Sequence, residues 1–200
     1  MLTLAAALLP FAVAAAFTPG PNNLMLAASG ANFGVRRSVP HILGIVTGFP
    51  LLLLVIGLGL GALFEQYPAA HAVLKLAGAT FLALMAWRIA TARPDGRVGT
   101  PSAGRPLTAL EALLFQWINP KAWIFAIGAI ATYTTVGGSR SRELGVILAV
   151  CLLVTVGSTV TWTLFGAGLN RWLLASPRAL RVFNVSMALL LVLSIVLVMQ

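Results

Sequence analysis

In this chain of 200 residues, 60% hydrophobic and 8% charged side chains, with a mean hydropathy of +0.98, exclude a soluble domain, which carries roughly 25% charged residues. The net charge of +9 is of the sign a nucleic-acid binder carries, but the basic residues are scattered between apolar runs and form no continuous water-facing patch, which argues against one. The lone Cys151 excludes an intrachain disulfide and reads as a small buried apolar residue.

Apolar runs bounded by charged or turn residues predict six membrane segments. The first, 2–34, contains no Asp, Glu, Lys or Arg and exceeds the ~20 residues that cross ~30 Å of hydrocarbon. Thr18-Pro19-Gly20-Pro21-Asn22 interrupts it, and proline breaks helices by removing a donor and crowding the preceding turn. The Ala-rich start resembles a signal peptide, but no positive n-region precedes it and the apolar run continues past Asn23. It reads as a retained first membrane helix. Segment two, 39–63, carries Gly44-x-x-x-Gly48 and the series Gly57, Gly59, Gly61, small residues that let helix backbones approach in membranes. Segment three, 69–91, leads into the Pro, Gly and Arg-containing linker 92–106. Segment four, 107–136, is again overlong and is interrupted by Asn119-Pro120-Lys121. Segments five, 143–169, and six, 176–199, close the chain.

The expected fold is an all-α integral membrane protein forming one transporter domain. Residues 1–91 make a first three-helix repeat, 92–106 a linker and 107–200 a second repeat, each opening with a broken helix. Three crossings per half turn the second repeat over, so the two are inverted. One side receives Arg36, Arg37, Arg88, Arg93, Arg97, Arg105, Arg171, Arg178 and Arg181; the other receives Lys75, Arg140 and Arg142. The positive-inside rule makes the first side, with the linker, cytoplasmic and leaves both termini outside.

Matched breaks in two halves are the best sequence pointer to a secondary transporter's binding site. Asn is a preferred N-cap and Pro suits the first helical position, so Asn119-Pro120 ends one half-helix and starts another. Twelve residues from 107 span about 18 Å, which places that break near the midplane. Its unpaired N–H groups and positive dipole end suit a carboxylate. Thr18, Pro19, Gly20, Pro21 and Asn22 repeat the device, with Thr18 or Asn22 as cap and Gly20 giving backbone access. The bland alternative is two kinks satisfied by neighbouring helices. Lys121 is the one charged residue placed near the bilayer centre, where charge is costly and implies function. It would pair with a substrate carboxylate or carry a coupling proton, against a lysine that merely snorkels. Trp117 and Trp123 flank the break as candidate pocket walls, with helix packing an equal alternative. Glu111 reads as the partner of a loop arginine, His41 and His71 as interfacial, and Trp87 and Trp172 as an aromatic belt.

Absences narrow the class. No acid lies at midplane and no His cluster appears, so no metal site is expected. Hydrolase and phosphate-binding signatures are missing, which points away from an enzyme, and no cofactor is implied. Neither break contains Cys, which disfavours a redox carrier.

Along nearly its whole length the chain resembles the LysE/RhtB family of amino-acid exporters. The likeness rests on Thr18-Pro19-Gly20-Pro21-Asn22-Asn23, Gly34 with Arg36-Arg37, Gly44 to Gly48, Leu74 to Ala79 and Asn119-Pro120-Lys121-Ala122. With Asn184 to Leu193, it looks most like the cysteine/O-acetylserine exporter branch. The resemblance implies export of an amino acid or derivative from a bacterial-type cytoplasmic membrane, driven by inward proton movement. Where many members carry an acid after the second-segment glycine, this chain has Gly48-Phe49-Pro50, which favours a neutral substrate. A homodimer is expected. The rival classes are a membrane scaffold or sensor that keeps the fold without transport and, less favoured, an ion or redox carrier.

Overall fold

The computed structural model describes residues 1–60, 68–92, 104–135 and 139–199, and these form helices and their connections, with no strand among them. The helices are α1 (Leu2–Phe17), α2 (Pro21–Val55, running into a π-helical turn over Ile56–Leu60), α3 (Pro68–Ala90), α4 (Ala109–Ile118), α5 (Pro120–Tyr133), α6 (Arg140–Leu174) and α7 (Pro177–Met199). Residues 93–103, most of the expected linker, lie outside the described residues, as do the side chains of His71, Lys75 and Arg171.

Proline alone does not break these helices. Pro10 sits inside α1, and Pro40 and Pro50 sit inside α2. The chain breaks where an extended residue precedes the proline: Gly20 (φ −172°, ψ 178°) before Pro21 and Asn119 (φ −88°, ψ 105°) before Pro120. Both prolines then open a helix, where their missing N–H costs nothing. Helices α4 and α5 meet at 65°.

Helix α2 is not one rod. Gly34 has φ 74° and ψ 172°, a left-handed region that L side chains avoid. Ser29 and His41 would stand about 18 Å apart on a straight helix, yet Ser29 Oγ lies 3.1 Å from His41 Nδ1. The chain therefore doubles back at Gly34. Arms 21–33 and 35–55 make a hairpin with a single-residue turn, tighter than the 35–38 connection expected from the charges.

Glycines set how closely the helices pack. A Cβ on Gly48 would stand 2.8 Å from Leu113 Cα of α4, and one on Gly44 would strike the Ala109 carbonyl. Gly30 of the first arm and Gly166 of α6 abut each other's backbones near Thr163 and Ala27. The 44–48 pair thus acts by packing, as small-xxx-small patterns do. Reciprocal amide bonds of 2.8 and 3.0 Å between buried Asn32 and Asn184 tie the hairpin to α7.

Helical stretches within Pro21–Gly59 (the arm after Gly34), Arg140–Leu169 and Pro177–Val196 are long and apolar enough to cross a membrane, and the bent α4–α5 pair makes a further candidate. Leu153, Leu189 and Ile124 are more than 60% exposed, an apolar exterior that a soluble monomer does not maintain. The protein is an all-helical, multi-pass membrane protein. Trp87 and Trp172 are exposed on it. Arg140, whose charge opposed the orientation rule, is held by Gly57: its Nε and Nη2 donate to that carbonyl at 3.1 and 2.9 Å.

Candidate functional site

The two breaks face each other across a cavity of about 80 Å³, lined by Ala12, Ala15, Ala16 and Gly20 on one side and by Asn119, Lys121 and Ala122 on the other. Asn22, Asn23, Thr155, Ser158 and Thr159 add polar groups, and Phe49 and Phe125 stack obliquely at 5.2 Å to close its apolar wall. No lining residue is acidic.

Neither α2 nor α5 has a side-chain cap on its first turn. Gly20, not Thr18 or Asn22, is the N-cap of α2, which corrects the capping expectation. Thr18 instead ends α1, and its hydroxyl and N–H both donate back to the Ala14 carbonyl. A β-branched hydroxyl residue leaving a helix readily makes this local bond. Asn22 turns away to Gln116: its Nδ2 donates to Gln116 Oε1 at 2.8 Å, and Gln116 Nε2 returns a bond to Asn22 Oδ1 at 3.1 Å. Asn119 takes the N-cap position of α5 but makes no capping bond, because its side chain turns into the protein. It is 2% exposed, and its Oδ1 is buried without a partner.

Lys121 crosses from one break to the other. Its Nζ donates to the Thr18 carbonyl at 2.7 Å. Its stem lies over Gly20, where an added Cβ would be 2.8 Å from Lys121 Cδ and 2.9 Å from Nζ. Gly20 is thus required for a close approach, and Pro19 and Pro21 hold the backbone on either side. The lysine does not snorkel to the exterior. It meets the carbonyl end of α1.

One other expectation is corrected. Trp117 and Trp123 do not line the cavity; Trp123 Nε1 donates to the Trp117 carbonyl at 2.8 Å, and both rings pack on the core around Leu8, Ala126 and Ile147. His41 is fully buried, because the tight hairpin at Gly34 carries it under the first arm. Glu111 forms a two-pronged pair with Arg105, at 2.6 and 2.7 Å, and completes a capping box with Thr108.

Sequence reasoning missed Asn23, Gln116 and Ser158. Asn23 Nδ2 donates to the Ala16 and Thr18 carbonyls at 2.8 and 2.9 Å, and Ser158 Oγ donates to Ala16 at 2.7 Å. Gln116 carried a usable signal, as an amide in an apolar run one turn before the break. Ser158 carried little, since membrane helices commonly hold serine.

A multi-pass helical protein with a polar cavity between two broken helices has the construction of a secondary transporter. The LysE type translocator family model matches residues 13–200. The chain belongs to that family and is a transporter, not an enzyme. It is 31% identical to a cysteine/O-acetylserine efflux protein of Klebsiella pneumoniae over 181 residues, covering 89% of each chain. It is 30% identical to the protein of that name from Escherichia coli K12 over 191 residues, covering 95% of this chain and 94% of the relative. No solved structure matches the chain.

Proposed function

We propose that this protein exports a small, neutral amino acid or close derivative from the cytoplasm, with cysteine and O-acetylserine the first candidates, coupled to proton influx. One observation carries the reading: a lysine ammonium and an unpartnered Asn119 amide share a small cavity that holds no carboxylate. The substrate carboxylate takes Lys121 Nζ from the Thr18 carbonyl and faces the uncapped first turns of α2 and α5, whose dipole ends favour negative charge. The substrate ammonium goes to Asn119 Oδ1. A cationic side chain would find no acid to meet it, which supports a neutral substrate. Lys121 is the charged group among the residues lining the site, so an incoming proton and the departing carboxylate exchange there.

In this reading the chain crosses a bacterial cytoplasmic membrane six times as two inverted repeats, with 92–106 cytoplasmic and both termini outside. The packing supports it: α1 of the first half lies on α6 of the second, while α4 of the second lies on arm 35–55 of the first. Copies pair as homodimers, which cross-linking in membranes tests.

The functional test is growth of a host overproducing the protein on toxic levels of single amino acids and their derivatives. Resistance to one neutral compound, its appearance in the medium, and loss of both when the proton gradient is collapsed are expected. An unchanged profile across the panel, with the protein present in the membrane, overturns export and favours the non-transporting scaffold.

A further inference from the structure

Helix α6 runs along the break cavity and gives it Cys151, Val154, Thr155, Ser158 and Thr159. Three of these carry hydroxyls, and two have committed their hydrogens to the backbone. Ser158 Oγ donates to the Ala16 carbonyl at 2.7 Å, and Thr159 Oγ1 donates to the Thr155 carbonyl at 2.8 Å. Thr155 is the exception. It is 8% exposed, and its side chain makes no hydrogen bond among the described residues.

That sets it apart from its neighbours. A threonine inside a helix can return its hydroxyl to the carbonyl four residues back. Thr159, Thr161 and Thr163 of α6 all do so at 2.7–2.8 Å, as do Thr47 of α2 and Thr80 of α3. Thr155 has the same option at the Cys151 carbonyl and does not take it. Helical threonine divides between two rotamers, and the one without that bond turns the hydroxyl away from its own backbone. Residue 155 faces the break cavity. The lining does not satisfy it there: Ile45, Phe49, Phe125 and Val154 are apolar. Asn119 Oδ1 is unmet as well, so the two do not satisfy each other. A mostly apolar lining with a few convergent polar groups is how a small-molecule site fixes its ligand.

We infer that Thr155 is a specificity-determining residue for the transported amino acid, its hydroxyl meeting an oxygen or sulfur in the substrate's side chain. The inference rests on the export reading in one respect: carboxylate and ammonium occupy Lys121 and Asn119, which leaves the α6 wall to the side chain. The substrate class then narrows from small neutral amino acids to those bearing a hydroxyl, thiol or ester. An aliphatic side chain of equal size would leave the Thr155 hydroxyl buried and bare, and a site built around a hydrogen bond rejects such an isostere for that reason.

L-Serine and L-2-aminobutyrate are close in size and differ in a hydroxyl against a methyl. Binding of each to the purified full-length protein in nanodiscs, measured by titration calorimetry, should favour serine about fivefold, the reach of one neutral hydrogen bond. Thr155→Val keeps the side chain's shape and removes no intramolecular bond, so it should fold. It should bring the preference to about one, with 2-aminobutyrate bound as well as before or better. Thr155→Ser retains the hydroxyl and should retain the preference. A merely structural role would move both ligands together. Equal binding of the two by the unmodified protein overturns the inference, as does a preference unchanged in Thr155→Val or lost in Thr155→Ser. Both ligands carry the same carboxylate and ammonium, so each of those results leaves the export reading standing. Binding of neither overturns the inference together with the site on which it rests.

Discussion

At the first break, the carbonyls that α1 leaves free are crowded with donors. Ala14 accepts from Thr18, Ala16 from Asn23 and Ser158, and Thr18 from Asn23 and Lys121. The second break satisfies its backbone more sparsely. Gln116 accepts from the Asn119 N–H at 3.4 Å, Trp117 accepts from Trp123, and the Asn119 side chain holds nothing. Both breaks use the same local device, an extended residue followed by a proline that opens a helix. Their difference lies in what the rest of the protein supplies. The first is tied shut by three side chains; the second keeps a buried amide in reserve. Irregular backbone in a membrane persists only where protein or a polar cavity surrounds it, and these two breaks show both solutions side by side.

Lys121→Met joins the breaks' fates and should have the largest effect. It removes the cation from the cavity and one of two donors from the Thr18 carbonyl. Export should be abolished, while thermal unfolding in detergent shows a loss of only about 1–2 kcal/mol, because Asn23 still serves that carbonyl. Lys121→Arg should fail as well, since the guanidinium stays protonated and is bulkier where Gly20 allows only a lysine stem. A Met variant that exports normally with its pH dependence intact would show the lysine to be a structural tie alone.

Asn119→Ala separates the breaks. No intramolecular bond of the side chain is lost, so stability should change by less than about 0.5 kcal/mol. Export should fall roughly 10–100-fold, the value of a hydrogen bond to a charged ligand group. Asn23→Ala is the mirror experiment at the first break. Two carbonyl bonds vanish, and unfolding should be easier by about 2–3 kcal/mol. Export per folded molecule should change less than in Asn119→Ala. The reverse pattern would mean that the first break, not the second, holds the ligand.

Much of this was legible in the chain. Apolar runs longer than a bilayer pointed to Gly20-Pro21 and Asn119-Pro120, where the helices do stop, although Pro10, Pro40 and Pro50 inside helices show that proline alone does not decide it. Membrane class and small-residue packing at Gly44 and Gly48 follow from composition and spacing in the same way. Side-chain destinations do not. Asn22 and Asn119 are both asparagines beside a proline, yet one bonds to Gln116, 94 positions away, and the other bonds to nothing. His41 stands at a segment end by sequence, and only the one-residue turn at Gly34 brings it against Ser29. Such outcomes depend on which arm faces which helix, and local propensity holds no information about that.

The smallest effect should come from Ser158→Ala, and it tests how redundant the first break is. Ser158 on α6 is one of two donors to the Ala16 carbonyl, the other being Asn23. Removing it leaves that carbonyl satisfied and opens space for only one atom at the cavity wall. Unfolding should shift by about 0.5–1 kcal/mol, the net worth of one neutral hydrogen bond. Combined with Asn23→Ala, however, the carbonyl would be left buried and bare. Because an unmet acceptor costs more than the bond that served it, the double variant should lose more than the two single losses added together. Contacting residues that share a partner couple in this way, by roughly 0.5–3 kcal/mol. Strict additivity would mean that water already reaches the Ala16 carbonyl, and the first break would then be as open as the second.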